Sequence, residues 1–292
     1  MKLAVFTTGA GLRAGVADPD QGVIRDVTGV LGGSDLAATL GGWDTIRPAL
    51  EGALASVPAV PLDSVRLHAP LRPVRNIFAV GKNYRDHVRE FGRSGYDTPS
   101  RSEEVPDKPI IFSKATTSVT GPYDDIYPHH GVTSELDYEG ELGVIIGRGG
   151  RSITRRDAYG HVWGYTVLND VTARDLQRDH KQWLLGKSLD TFCPMGPYAV
   201  SADEIGDVDT LEVTTLVNGE QRQHAPVKDL IFDIPTLIAT ISAGIMLLPG
   251  DIIATGTPAG VGIGFDPPMF LSSGDVVEVS ISRIGTLRNR IG

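Results

Sequence analysis

Residues 134–147 read Ser134-Glu135-Leu136-Asp137-Tyr138-Glu139-Gly140-Glu141-Leu142-Gly143-Val144-Ile145-Ile146-Gly147. In an extended chain residues two apart share a face, so Glu135, Asp137, Glu139 and Glu141 all point the same way. Four like charges in a row repel one another, and a solvated sheet face is the ordinary home for them. Val144, Ile145 and Ile146 argue otherwise, because they continue the strand as an unbroken apolar run of the kind that enters a core. Carboxylates at such a boundary need a cation, and a cluster offering only oxygen favours Mg2+ or Mn2+ over zinc.

Outward from this strand the chain is β-rich. Its 35 glycines and 19 prolines are spread as turn punctuation between short β-branched runs. Strands are expected at Lys2–Thr7, Val23–Asp26, Ile77–Val80, Ile110–Ser113, Tyr138–Ile146 and Trp163–Leu168, with Val276–Ile281 as a closing strand. Leu211–Val217 and Glu220–His224 flank Asn218-Gly219, the signature of a hairpin with a type I′ turn. Helical pieces are few: one near Leu50, one over Arg85–Phe91, and one capped by Asp233 with Pro235 in its first turn. In the last, Ile234, Leu237, Ile238, Ile241, Ile245 and Leu248 recur at helical spacing and predict one buried face. Arg93–Lys108 has no period and reads as a long loop, a mobile lid. The fold class is therefore α+β. With 292 residues the chain has length for a large fold plus an appendage, and the Pro-rich Ala69-Pro70-Leu71-Arg72-Pro73 divides it into residues 1–70 and 71–292.

Composition narrows the partners. With 41% hydrophobic and 22% charged residues the chain is neither collagen-like nor disordered. Thirty-six acidic against 27 basic residues give a net charge of −9, which argues against nucleic acid or an anionic membrane as partner. The most apolar stretch, Leu237–Leu248, is too short to cross a bilayer. Cys193 is the sole cysteine, so an intrachain disulfide and a Cys-based zinc site are excluded; it fits a reducing cytoplasm and the role of a small buried apolar residue. The opening MKLAVFTTGAG has no sustained apolar region and does not read as a signal peptide.

Further candidates for chemistry lie on either side of the acidic stretch. A strand ends at Asn169-Asp170 and a helical turn carrying Thr172, Arg174 and Gln177 follows, so Asp170 is either a helix cap or a third metal ligand. His87 and Glu90 are three apart and neighbour each other on a helix; a histidine oriented by a carboxylate is a good general base near neutral pH. Such pairs are common on surfaces, but this one follows a strand end and precedes the long loop. The His129-His130 pair sits in a turn region and reads as solvated. Lys187 is a lone cation among apolar and small residues, either snorkelling or facing an anionic substrate. Gly250–Gly262 offers backbone N–H groups as a carboxylate cradle, and lacks both the P-loop lysine and the Gly-x-Gly-x-x-Gly order of nucleotide sites.

Taken together, Gly81-Lys-Asn-Tyr with His87 and Glu90, Asp137-Tyr-Glu-Gly-Glu-Leu, Asn169-Asp-Val-Thr-Ala-Arg-Asp-Leu-Gln, Gly186-Lys-Ser-Leu-Asp-Thr-Phe-Cys-Pro-Met-Gly-Pro and Gly250-Asp-Ile-Ile-Ala-Thr-Gly-Thr-Pro-Ala-Gly-Val-Gly resemble the fumarylacetoacetate hydrolase family. The match runs in order from about Asn76 to the C-terminus. The resemblance implies a mixed β-sandwich roll, a small N-terminal α/β domain and a homodimer. It implies that Glu139, Glu141 and Asp170 hold one Mg2+ or Mn2+ with Lys187 beside it, and that His87 and Glu90 form a catalytic dyad. Arg174, Gln177 and Thr257 then fall where the family binds the oxo-acid end of its substrate; Glu135 receives no role. The implied reaction is cleavage of a carbon–carbon bond in a 2-oxo or 2,4-dioxo acid through a metal-stabilised enolate. Hydrolysis of an acylpyruvate-type substrate leads, with oxaloacetate decarboxylation and 2-hydroxyhepta-2,4-diene-1,7-dioate isomerisation as alternatives. A metabolite-binding scaffold is the alternative that is no enzyme.

Overall fold

In the computed structural model, which describes residues 1–9, 11–95 and 105–292, the acidic stretch is two strands rather than one. Leu136–Asp137 pairs with Thr172–Ala173, while Gly140–Ile146 pairs with Val162–Asn169 in the central sheet. The break falls at Tyr138-Glu139. There the backbone is held by other means: Asn169 Oδ1 accepts from Glu139 N at 3.0 Å, and Glu139 O accepts from Asp170 N at 2.8 Å. These bonds satisfy polar groups that the interrupted ladder leaves buried.

The central sheet is mixed. Across it the strands run Ala59–Pro61, Val23–Asp26, Arg13–Asp18, Lys2–Thr7, Cys193–Ser201, Val162–Asn169, Gly140–Ile146, Ile252–Ala254, Ile77–Gly81 and Ile110–Lys114. Strands from residues 1–70 thus extend the sheet through the pairing Lys2↔Val200. A five-stranded sheet, ordered Glu220–Pro226, Glu212–Val217, Val276–Ile281, Gly285–Ile291 and Asp125–Ile126, covers one face. The unbroken apolar run has its explanation here. Leu142, Val144 and Ile146 pack with Val213, Val277, Val279 and Leu287 of the second sheet, whereas Ile145 faces the other way, into a core with Leu36, Leu40, Trp43 and Leu50 of the N-terminal helices. A strand buried on both faces has no polar side to show.

Most of the expected elements are present, including the hairpin, in which Asn218 and Gly219 take φ of 53° and 81° as a type I′ turn requires. Three expectations are corrected. The helix capped by Asp233 spans Ile234–Ser242, so Ile245 and Leu248 lie beyond it, 45% and 40% exposed. Thr172 lies in the short strand paired with Asp137, ahead of the helix Arg174–Asp179. His129 is half-buried, its Nε2 3.0 Å from the Asp190 carbonyl and its ring against Phe192. Val276–Ile281 is a strand with the expected bounds, and the last strand of the chain is Gly285–Ile291, which pairs with it. The helix begun at Arg85 runs to Ser94, taking in the first two residues of the predicted lid, and residues 96–104 of that lid lie outside the described residues. Cys193 is buried as expected, and burial pushes its thiol up to about 12.

Candidate active site

Glu141 sits within the central strand, Asp170 directly follows the neighbouring strand, and Glu139 occupies the break. All three are buried, and each offers a carboxylate oxygen within 4.8 Å of the others. Asp170 is no helix cap, since the following helix starts four residues on, at Arg174. The Lys187 ammonium, 2% exposed, donates to Glu139 Oε2 at 2.7 Å and Asp170 Oδ2 at 2.9 Å, so it is no snorkelling lysine. Arg174 pairs through Nη2 with Glu139 Oε1 at 2.7 Å and donates through Nε to Asp137 Oδ2 at 2.8 Å and through Nη1 to Gln177 Oε1 at 3.1 Å.

These neighbours drive the carboxyls apart. Burial would raise Glu139, but the Lys187 and Arg174 charges outweigh it and hold the group down at about 2. Glu141 moves the other way. Burial, then the charges of Asp170 and Glu139, push it well above the usual carboxylate range, against the Lys187 charge and the backbone bond it accepts from Gly256 N–H at 2.8 Å. Burial works against the Lys187 ammonium, yet the carboxylates of Asp170 and Glu139 raise it above its ordinary value. Three buried carboxyls with oxygens this close together could hold a metal ion. The all-oxygen donor set suits Mg2+ or Mn2+.

The His87–Glu90 pair is assembled on the helix Arg85–Ser94. Glu90 Oε2 lies 3.2 Å from His87 Nδ1, and Oε1 accepts from Gly260 N–H at 2.9 Å. Gly264 makes room for this arrangement: a Cβ there would lie 1.9 Å from Glu90 Oε1. The helix itself is anchored by Asn83, whose amide donates to the Phe232 and Thr255 carbonyls at 3.1 and 2.8 Å.

One cavity is lined by His87, Glu139, Glu141, Arg174, Gln177, Lys187 and Thr257, with Phe91, Phe112 and Trp183 as its apolar wall. Of the site residues expected from the sequence, only Asp170 and Glu90 do not line this cavity, and they bond to Lys187 and His87, which do. The glycine-rich turn is a carboxylate cradle for acids of the chain itself. Its N–H groups hold the chain's own carboxylates, with Gly256 on Glu141, Gly260 on Glu90 and Gly262 on Asp137. Thr257 likewise gives its hydroxyl to the Gly140 carbonyl at 3.0 Å and accepts from Gln223 at 2.7 Å. Glu135 stands apart, half-buried against Arg178 at 3.4 Å.

Two residues of this network escaped the sequence. Asp137 had a place on the acidic face but no partner, because Arg174 is 37 positions away. Lys114, fully buried and 2.5 Å from Asp170 Oδ1, had one signal only, a lysine ending the apolar strand Ile110–Ser113.

Residues 76–292 match the model of the fumarylacetoacetate (FAA) hydrolase C-terminal family. The chain belongs to the fumarylacetoacetate hydrolase family. It is 53% identical over 232 residues, 79% of this chain and 74% of the other, to oxaloacetate tautomerase YisK of Bacillus subtilis (strain 168). Over its full length it superposes on 99% of the fumarylacetoacetate hydrolase of psychrophilic Exiguobacterium antarcticum, with TM-score 0.85 and 42% identity. Maleylpyruvate hydrolase from Sphingobium sp. SYK-6, in a structure with manganese(II) ion and pyruvate, matches the whole chain and 98% of its own at TM-score 0.80 and 32% identity. The roll expected from the motifs is therefore the fold, and the chain is an enzyme of this family rather than a scaffold. No helix among the described residues is long and apolar enough to cross a membrane.

Proposed function

We propose that the protein is a divalent-metal-dependent enzyme that interconverts the keto and enol forms of a 2-oxo diacid of the oxaloacetate type. The observation that carries this is the buried triad Glu139, Glu141 and Asp170 with Lys187 on two of its members and His87 lining the same cavity. Support for the substrate class comes from the 53% identity to an oxaloacetate tautomerase, and support for the metal from the manganese(II) and pyruvate held by the maleylpyruvate hydrolase neighbour.

In this reading Glu139, Glu141 and Asp170 hold the ion. When bound, the divalent ion supplies Lewis-acid stabilisation of negative charge building on the substrate's 2-oxo oxygen. Lys187 places a fixed ammonium beside that charge, in a buried setting where it counts for more than in water. Glu90 accepts from His87 Nδ1, which leaves Nε2 as the ring nitrogen that takes the proton from C3 and returns it. Arg174 keeps Glu139 and Gln177 in place, while Phe91, Phe112 and Trp183 exclude water. Moving one proton from carbon to oxygen breaks no carbon–carbon bond, so the dyad needs no water for it.

Hydrolysis of an acylpyruvate is the second reading, because the same dyad can activate a water; decarboxylation and dienol isomerisation use the same enol chemistry. A panel of oxaloacetate, acetylpyruvate and fumarylpyruvate with Mn2+ or Mg2+ separates them. Loss of the oxaloacetate enol with neither pyruvate nor carbon dioxide formed is expected. Release of pyruvate from acetylpyruvate or fumarylpyruvate at a comparable kcat/KM would instead make hydrolysis the function. The homodimer, the cytoplasmic setting and the division at residue 70 belong to the same proposal, supported by the family's motifs and, for the setting, by the single buried Cys193.

A further inference from the structure

The Lys114 side chain ends the strand Ile110–Lys114, paired across from Ile77 at the sheet edge, and is fully buried. It does not line the cavity. Its ammonium instead lies behind the acidic triad, 2.5 Å from Asp170 Oδ1, the oxygen that Lys187 does not touch. The same ammonium donates to the Val171 carbonyl at 3.2 Å and to the Lys187 carbonyl. Beyond it, Ala115 N–H donates to Ser188 Oγ at 3.0 Å, so the two segments are joined twice.

We propose that Lys114 is a positioning residue of the metal site: it fixes the Asp170 carboxylate from behind and ties it to the backbone that carries Lys187. The inference rests on the metal reading given above. Asp170 Oδ1 finds no other partner among the described residues, and a carboxylate held at only one oxygen is free to swing. With Lys114 on Oδ1, Oδ2 keeps its bond to Lys187, which also holds Glu139. Because one ammonium grips both Asp170 and the Lys187 carbonyl, the ligand and the catalytic cation keep a constant separation. Groups that orient metal ligands from behind are commonly worth about 10- to 100-fold in metal affinity or activity.

The sign of one measurement decides. Coulomb repulsion alone predicts that deleting a cation this close to a dication tightens the ion, whereas loss of positioning loosens it. Mn2+ binding is measured by titration calorimetry on full-length wild type and Lys114→Met after EDTA treatment, with no substrate present. Weakening by about tenfold or more in the variant is the expected result; a smaller loss, no change or a gain overturns the proposal. Absence of Mn2+ binding by wild type overturns the metal reading itself, so the two failures are distinct. If Lys114→Met shows no cooperative melt in EDTA, a crystal structure of Mn2+-loaded wild type replaces it. Lys114 Nζ still within hydrogen-bond distance of Asp170 Oδ1 and the Lys187 carbonyl is then expected, and an ammonium withdrawn from Asp170 overturns the proposal.

Discussion

At the scale of single residues the site works by opposition among its carboxyls. Glu139 is held low at about 2 by Lys187 and Arg174 against the cost of burial; a carboxylate so depressed adds stability above its ordinary 4.5 and gives it up as pH falls toward 2. Burial, Asp170 and Glu139 raise Glu141, so its contribution has the reverse sign: present below 4.5, lost as pH rises through its elevated value. A dication entering the triad replaces that proton. Mn2+ binding is therefore expected to release protons and to tighten with rising pH; calorimetry in buffers of different ionisation enthalpy reads the release directly, and an affinity independent of pH between 6 and 8 counts against it. A second prediction concerns Gly264. A Cβ there would press on Glu90 Oε1, so Gly264→Ala is expected to lower kcat by about a hundredfold, the lower end of what general acid–base catalysis contributes, with Mn2+ affinity unchanged. Side-chain types and spacing were legible for His87, Glu139, Glu141 and Asp170. What could not be read was pairing across the sequence, because Asp137 to Arg174 and Lys114 to Asp170 meet only once strands are in register.

Among the elements, periodicity was informative while the chain stayed regular and failed at the points where the site is made. The acidic stretch is largely extended, yet its ladder is interrupted at Tyr138-Glu139, where Asn169 and Asp170 hold the backbone instead. No propensity encodes that break. The helix from Ile234 shows the complementary failure: its apolar spacing runs on to Leu248, but the helix stops at Ser242, two residues before Gly244. Its start, by contrast, was fully encoded. Asp233 Oδ1 accepts from Thr236 N–H at 2.9 Å, and Asp233→Ala is expected to cost about 1 kcal/mol, measured by urea unfolding in EDTA. The glycine-rich turn reads as a cradle for carboxylates, but the sequence does not say which, since N–H groups offered by a turn look the same whichever acid they meet.

For the molecule as a whole, two cores on opposite faces of one sheet place a rigid floor beneath a charged site. Val144 and Ile146 bury on one side and Ile145 on the other, so the strand that carries Glu141 has little freedom to relax when its charge changes. A bound dication should stabilise the fold well beyond the site: by about 2.7 kcal/mol at a free ion concentration a hundred times Kd, read as a rise in melting temperature. That rise should disappear in Glu141→Ala. In the proposed function this site moves a proton on a 2-oxo acid with the help of a divalent ion. The decisive measurement is the entry of solvent deuterium at C3 of oxaloacetate, followed by NMR in D2O against a blank with free Mn2+. Exchange accelerated by the Mn2+-loaded protein, abolished by EDTA and by Glu139→Gln, is the predicted result; exchange at the blank rate with Mn2+ demonstrably bound would contradict it.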